Sequence, residues 1–268
     1  MKMLLTVGAL VATATLATPA VAQLWDNGSL GNGTLITHLN GMTGAVAGTH
    51  RSAISPTPAS LFGAGAAGGN RLADNFVVSG PGWNISSFQF YGYLTGATTP
   101  GATALTLRIW DSMPGSVGSN ILFGDSSTNV LSSAGWATGP GGAAIYRTTA
   151  TDTVGATRRL QGLNANVSLT LAPGSYWIDY AFTGVSFTPS LSVATGVVPV
   201  GNAMQFIGGT ALTWGPALDA GVTGSNFNQQ IELPFLVFGS PIPEPGTYAL
   251  MLAGGLAIVA AARRRRQG

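Results

Sequence analysis

The sequence contains no cysteine, which excludes both disulfide bonds and thiolate metal sites. Charge is scarce as well, since Asp, Glu, Lys and Arg together make up only 7% of the 268 residues. Ion pairs that stabilise helices are therefore rare, and the 39 glycines disfavour helix further. A chain of this composition must be held together by an apolar core, and strands are the better candidates to build it.

The positive charge of the chain is unevenly distributed. Four arginines follow one another near the C-terminus, whereas the stretch from Leu24 to Ser240 has six arginines and eight acidic residues, a formal net charge of −2. Phosphate binding needs clustered cations, so this body has no electrostatic footprint for nucleic acid. We expect no nucleic-acid partner.

Histidine is rare too, occurring only at His38 and His50, and no Gly-x-Ser-x-Gly motif accompanies it. A Ser-His-Asp triad is therefore not expected. A glycosidase would need two carboxylates held across a cleft, and Asp179, between Trp177 and Tyr180, is the least ordinary candidate. We interpret Asp179 as a polar residue on the solvent face of a strand, and we predict no catalytic residue and no cofactor.

Oxygen ligands for calcium occur in the loop-rich stretch around Pro114. The candidates are Asp111, Asn120, Asp125 and Asn129. Their spacing matches no fixed calcium loop. Turn formation by Asp and Asn side chains explains them better, and we predict no metal site.

The first 22 residues have the layout of a secretory signal peptide. A charged start at Lys2 precedes an apolar run from Met3 to Leu16. The small residues Ala20 and Ala22 then suit signal peptidase, and we expect cleavage before Gln23. The apolar run is too short to span a bilayer comfortably, so a membrane helix is the poorer interpretation.

The other end of the chain combines a Pro-Glu-Pro tripeptide, an apolar segment and a cluster of arginines. The prolines of Pro243, Glu244 and Pro245 stop helix from extending upstream. The 16 residues from Thr247 to Ala262 would make a helix of about 24 Å, a short transmembrane span. The cluster consists of Arg263, Arg264, Arg265 and Arg266. Because such cations stay on the cytoplasmic side, we expect the body to lie outside the inner membrane.

This combination resembles the PEP-CTERM sorting signal of Gram-negative bacteria. Gly246 follows the second proline, where that family often has serine. The resemblance implies recognition by an exosortase, a membrane enzyme that removes the helix and releases or transfers the body to the cell surface or the medium. An ordinary C-terminal anchor would explain the helix and the arginines but not the tripeptide.

Between the two ends, short apolar segments are separated by turn residues. Apolar residues alternate from Ala104 to Trp110 and from Tyr176 to Phe182, which predicts half-buried strands. Further predicted strands are 30–39, 74–78, 85–93, 143–149, 166–171, 203–207 and 231–238. The series favours an all-β, jelly-roll-like antiparallel β-sandwich. Pro234 predicts an edge position or a bulge for the last strand.

Two tryptophans, Trp110 and Trp177, occupy the nominally polar faces of their strands. Aromatic rings on an exposed face can stack on sugars, so both are candidate glycan-stacking residues. The alternative is that both faces of the sheet are covered, which would bury the two rings without any ligand.

The chain is predicted to divide into a signal peptide (1–22), a Gly/Thr/Ser-rich early strand and loop (23–70), a β-sandwich (71–240) and a sorting tag (241–268). The stretch 63–69 is too rich in glycine to bury much surface. Segments 83–93, 107–125 and 172–179 resemble an extracellular sandwich domain often found ahead of PEP-CTERM tags. We expect a non-catalytic protein of the surface or the biofilm matrix; the alternative is a carbohydrate-binding module for exopolysaccharide.

Overall fold

The computed structural model describes residues 21–27, 49–51, 64–66, 68–138, 144–148, 157–188, 201–208, 213–219 and 229–267. Its elements are β1 (Ala22–Asp26), β2 (Thr49–Arg51), β3 (Ala64–Gly65), β4 (Arg71–Val78), β5 (Trp83–Gly92), β6 (Ala104–Trp110), β7 (Ile121–Gly124), β8 (Leu131–Trp136), β9 (Tyr146–Thr148), β10 (Gln161–Leu171), β11 (Gly174–Thr183), β12 (Phe187–Thr188), β13 (Met204–Phe206), β14 (Trp214–Pro216), β15 (Leu218–Asp219), β16 (Gln229–Gln230), β17 (Phe235–Pro241) and α1 (Pro245–Gln267). The predicted strand 30–39 lies outside the described residues.

Most of the strands belong to two antiparallel sheets. The five-stranded sheet has the order β1-β17-β5-β10-β8, and the six-stranded sheet has the order β14-β13-β4-β11-β6-β7. All pairings within both sheets are antiparallel. The sheets bury a shared core, so the predicted all-β sandwich is confirmed.

Aromatic side chains occupy the centre of that core. The ring centroids of Phe90 in β5 and Tyr180 in β11 lie 4.3 Å apart. Phe235 of β17 contacts both Phe76 and Phe90, with centroids at 6.4 Å in each case. Burying one such ring contributes about 1.5–3 kcal/mol, so these contacts between strands distant in sequence hold together a domain without disulfides.

The alternating strands were predicted at nearly their observed bounds. β6 covers the same residues as predicted, with Leu105, Leu107 and Ile109 buried and the residues between them partly exposed. The edge position suggested by Pro234 is wrong, because β17 begins after that proline and lies between β1 and β5. A register shift does occur further along β17, between Phe238 and Gly239.

The glycine-rich stretch before β4 buries more than the sequence predicts. Ala66 is fully buried, and its amide donates to the carbonyl oxygen of Ser186 while its own carbonyl oxygen accepts from Phe182. The neighbouring β3 pairs with β12. A small side chain allows this close approach, so a segment of poor strand propensity becomes part of the core.

Candidate functional site

The chain leaves the sandwich through its last strand with almost no linker. β17 ends at Pro241, which is paired with Trp83 of β5. The backbone N–H of Ile242 then donates to the carbonyl oxygen of Gly82 at 2.9 Å. Gly82 has a φ of +116°, and a Cβ there would lie 2.9 Å from the Cδ1 atom of Ile242. Glycine is therefore what lets this residue dock against the sheet end.

The Pro-Glu-Pro tripeptide follows this docked residue directly. Pro243 and Glu244 are exposed, and Pro245 is the first residue of α1. Proline suits the first helical position because its φ is already helical and its missing N–H would have no partner there. The predicted break between body and helix is thus confirmed, and it consists of two exposed residues.

The helix α1 carries the apolar segment and the arginine cluster. Its side chains from Ala253 to Arg265 are exposed, including those of Leu256 and Ile258. They add nothing to the core of the sandwich. Among the residues that the structure describes, no helix is long and apolar enough to cross a membrane, so the predicted transmembrane span is not confirmed.

The predicted signal cleavage point lies beside the start of the tag. Ala22 is the first residue of β1 and pairs with Gly239 of β17, whereas Ala20 lies outside the described residues. Because β1 and β17 run antiparallel, the segment before Gln23 and the segment after Pro241 leave the same end of the sheet. Cleavage before Gln23 stays a prediction.

The outer face of the six-stranded sheet is built around a buried carboxylate. Asp179 of β11 is 0% exposed and forms ion pairs with Arg71 of β4 and with Arg108 of β6, the latter at 2.8 Å. The indole N–H of Trp110 also donates to Asp179. The interpretation of Asp179 as a solvent-facing residue is therefore wrong, since neighbours from both adjacent strands cover it.

The two arginines of this cluster are held differently. The side chain of Arg71 is 8% exposed and contacts Asp179 through Nε, while its two terminal nitrogens donate to the hydroxyl of Thr106 at 2.8 Å and to the carbonyl oxygen of Thr106 at 3.4 Å. Burial lowers the pKa of Arg71, although the charge of Asp179 opposes the shift. Arg108 is 17% exposed and lies over the ring of Trp110, 5.0 Å from its centroid.

A groove of about 510 Å³ runs over this cluster. Its lining includes Arg71, Arg108, Trp110, Phe206 and Trp214. The rings of Phe206 and Trp214, in β13 and β14, have centroids 5.7 Å apart. We call this feature the outer groove. Of the residues in its lining, only Trp110 was predicted as a site residue from the sequence. The available signal for the others was the presence of arginines on the polar faces of strands in a chain with few charged residues.

The two candidate glycan-stacking residues have different environments. Trp177 is only 9% exposed and belongs to a small buried cluster with Ala73 and Met204, against which Trp110 and Trp214 pack. Trp110 is half-buried and borders the outer groove. Trp177 is buried because both faces of its sheet are covered, so its burial needs no ligand. Stacking of either tryptophan on a sugar stays a prediction.

A second carboxyl cluster lies where the N-terminal strand meets the body. The side-chain amide of Asn27, just after β1, donates to Asp74 at 3.2 Å and to Glu232 at 3.1 Å. The backbone N–H of Leu233 donates to Asp74 at 2.8 Å. Burial raises the pKa of Asp74, with the charge of Glu232 adding to the shift, and burial likewise raises the pKa of Glu232. Through Asn27, the pair ties the end of β1 to β4 and to the segment just before β17.

The loop residues considered for calcium act as turn residues instead. Asp111 accepts from the backbone and side-chain amides of Asn120, at 2.8 and 2.9 Å. Asp125 accepts from the backbone and hydroxyl groups of Ser127 and Thr128, and these bonds lower its pKa. Within the described ranges, no cluster of three His, Cys, Asp or Glu residues could hold a metal ion.

A second groove lies on the outer face of the five-stranded sheet. It measures about 450 Å³ and includes Gln23, Gln89, Asn164 and Trp136, and none of the described residues in its lining is charged. Arg159 lies beyond this lining, over the ring of Trp136 at 4.6 Å from its centroid. The two sheets thus present grooves of different chemistry, one with arginines and one with neutral amides.

Comparison with known families identifies the C-terminal segment. Residues 241–266 match the PEP-CTERM protein-sorting motif, so the chain carries this sorting signal in its C-terminal segment. The motif implies export in a Gram-negative bacterium, membrane-associated sorting and processing by an exosortase. No curated protein and no solved structure matches the chain.

Proposed function

We propose that this chain is a non-catalytic protein of the bacterial surface or extracellular matrix, associated with biofilm exopolysaccharide and delivered by its two terminal signals. The observation that carries the proposal is the junction at Ile242, where a folded exported body ends and an exposed Pro-Glu-Pro begins. A sparsely charged sandwich held by its core alone suits an environment outside the cell. Processing then separates a disposable helix from a body that is already complete.

The helix α1 is proposed to hold the chain transiently in the inner membrane. Among its described side chains, Leu250, Leu256, Ile258 and Val259 are exposed, so these apolar groups are available to enter lipid. The arginines at its end would remain on the cytoplasmic side, with their long side chains reaching the interface. Glu244 would then lie on the outer side, next to the folded body and within reach of a membrane enzyme.

Mass spectrometry of the C-terminus tests this proposal on chains recovered from cells. The wild-type chain should end near Pro243–Pro245 in the exported fraction, whereas Glu244→Ala should accumulate with its helix attached. Because Glu244 is exposed and lies outside the sheet, the variant should melt at the wild-type temperature. Full-length chains ending at Gly268 in the outer fraction of wild-type cells would contradict processing.

Carbohydrate binding is the second candidate, and the outer groove favours it. Trp110 and Trp214 line a groove of a size that suits a small part of a sugar chain, and their partly exposed rings can stack on pyranose faces. A glycan array should show binding that Trp214→Ala weakens. Phe76→Leu, a substitution in the core away from the groove, serves as a control for general loss of stability. An array that shows no binding to any glycan would refute carbohydrate binding.

The strand order supports a jelly-roll topology, which we infer for the sandwich. The four strands β1-β17-β5-β10 face the four strands β4-β11-β6-β7, and the chain crosses between the sheets from β4 to β5, from β5 to β6 and from β10 to β11. The strands β8, β13 and β14 extend the edges. Lectin domains are among the proteins built this way, although the fold by itself does not assign a ligand.

A further inference from the structure

We propose that the outer groove binds an acidic polysaccharide by taking the carboxylate of a uronic acid unit on the terminal guanidinium nitrogens of Arg108. The inference rests on the carbohydrate-binding candidate and names its ligand class. It depends on the contacts of one arginine, on the residues that fix it and on the charge around it.

Only the Nε donor of Arg108 is used in the hydrogen bonds of the described residues. Its Nε donates to Asp179 at 2.8 Å, and its guanidinium lies over Trp110. In the described part of the chain, neither terminal nitrogen of Arg108 has a hydrogen-bond partner, and the side chain lines the outer groove at 17% exposure. The planar fork of an arginine matches a carboxylate through two parallel hydrogen bonds, so the free end of Arg108 has the geometry for an acidic group.

The buried carboxylate of Asp179 holds this donor in place. Asp179 of β11 lies directly opposite Arg108 of β6 in the strand register. It also accepts from Trp110 of β6 and from Arg71 of β4, the strand on the other side of β11. A buried ion pair adds little net stability compared with apolar residues of similar volume. Its value here is orientation, because a donor fixed before binding loses less entropy when the ligand arrives.

Among the described residues that line the outer groove, Arg108 is the cation that the neighbouring charges leave available to a ligand. Arg71 is almost fully enclosed and interacts with Asp179 and with the more distant charge of Asp125. Asp125 itself is occupied by the hydrogen bonds of its own turn. The body as a whole carries a formal charge of −2, so its general field does not attract polyanions, and binding of one must come from a local site.

Aromatic residues beside Arg108 complete a site for a sugar. Trp110 lies beneath the guanidinium, and Trp214 and Phe206 line the same groove. A pyranose ring stacked on one of these faces would place a carboxylate at its rim within reach of the arginine. The groove on the other sheet is lined by amides, and none of its described lining residues is charged, so an acidic ligand finds no lining arginine there among the residues that the structure describes.

The test compares polygalacturonate with its carboxyl-reduced form, which keeps the polymer but removes the charge. Binding to the processed protein is measured by titration calorimetry at one fixed salt concentration. We expect the acidic polymer to bind at least about tenfold more tightly than the reduced one, and Arg108→Gln to abolish that difference. Arg159→Gln is the matched control, because it removes one positive charge away from the outer groove.

A second variant guards against misfolding of Arg108→Gln. Ser126 is exposed at the rim of the outer groove and takes no part in the ion pairs, so Ser126→Asp adds a negative charge without disturbing them. It should weaken binding of the acidic polymer and leave thermal unfolding unchanged.

Three outcomes would overturn the inference. Equal binding of both polymers, with Trp214→Ala weakening both, would keep carbohydrate binding and refute the acidic ligand class. A loss for Arg159→Gln as large as for Arg108→Gln would show attraction by general charge only. No binding of either polymer, together with a flat glycan array, would refute the site and the carbohydrate-binding candidate while leaving the sorting function untouched.

Discussion

Replacing Asp179 by asparagine would show how strongly the outer face depends on a single buried charge. The side chain is 0% exposed and accepts from Arg71, Arg108 and Trp110. Asparagine has nearly the same shape, so the change removes the charge without opening a cavity. Two guanidinium groups then remain without a counter-charge in contact.

The unequal burial of the two arginines sets the size of the effect. Arg108 is 17% exposed and can turn its charged end towards water in the groove, whereas Arg71 is 8% exposed and stays enclosed. Removing one partner of a buried ion pair costs about 3–5 kcal/mol. We expect the lower end of this range, about 3 kcal/mol, because only Arg71 remains trapped. For a domain of this size, the Tm should fall by roughly 6–12 °C.

Urea unfolding of the processed protein, followed by circular dichroism, measures this change. Asp179→Asn is compared with Arg71→Met and with the double variant. If the trapped charge is the cause, the double variant should be more stable than Asp179→Asn alone, because the uncompensated cation is gone. Wild-type stability of Asp179→Asn, or a double variant no more stable than it, would refute the reasoning.

Three further predictions concern the carboxyl pair and two glycines. Since the pKa of Asp74 and that of Glu232 are both raised, the folded state is favoured when the pair is protonated, and stability should fall as the pH rises from about 4. Glu232→Gln should flatten this fall; a Tm profile between pH 4 and 8 as steep as that of the wild type would contradict it. Gly239→Ala should cost about 1–3 kcal/mol, because its methyl group would overlap the backbone of β5, and an unchanged urea midpoint would disprove the close approach. Gly135→Ala, where a Cβ would meet no described atom within 4 Å, should leave the free energy of unfolding unchanged or raise it by up to about 1 kcal/mol in the same urea experiment.

Local patterns in the sequence were sufficient for the parts of the molecule that depend on neighbouring residues. The alternation from Ala104 to Trp110 predicted β6 at its observed bounds. The prolines around Glu244 predicted the exposed break before α1. The PEP-CTERM motif is readable in the same way, because its parts follow one another along the chain.

Contacts between residues that are distant in sequence could not be predicted from local patterns. The alternation predicted that Asp179 lies on the face opposite the core. It did not predict that Arg71 and Arg108, from the two flanking strands, would enclose it. The edge position predicted from Pro234 is wrong because β1, more than 200 positions earlier in the chain, pairs with β17. The cluster of Asn27 and Glu232 joins the same distant segments.

The sequence by itself determined where strands alternate, where the body stops and which sorting motif follows, since those features depend on periods of two residues and on short motifs. Only the tertiary structure decided which sheet face is covered, which arginine keeps free donors and how the outer groove forms. Those outcomes depend on strand order and register, which bring together residues that no local pattern connects.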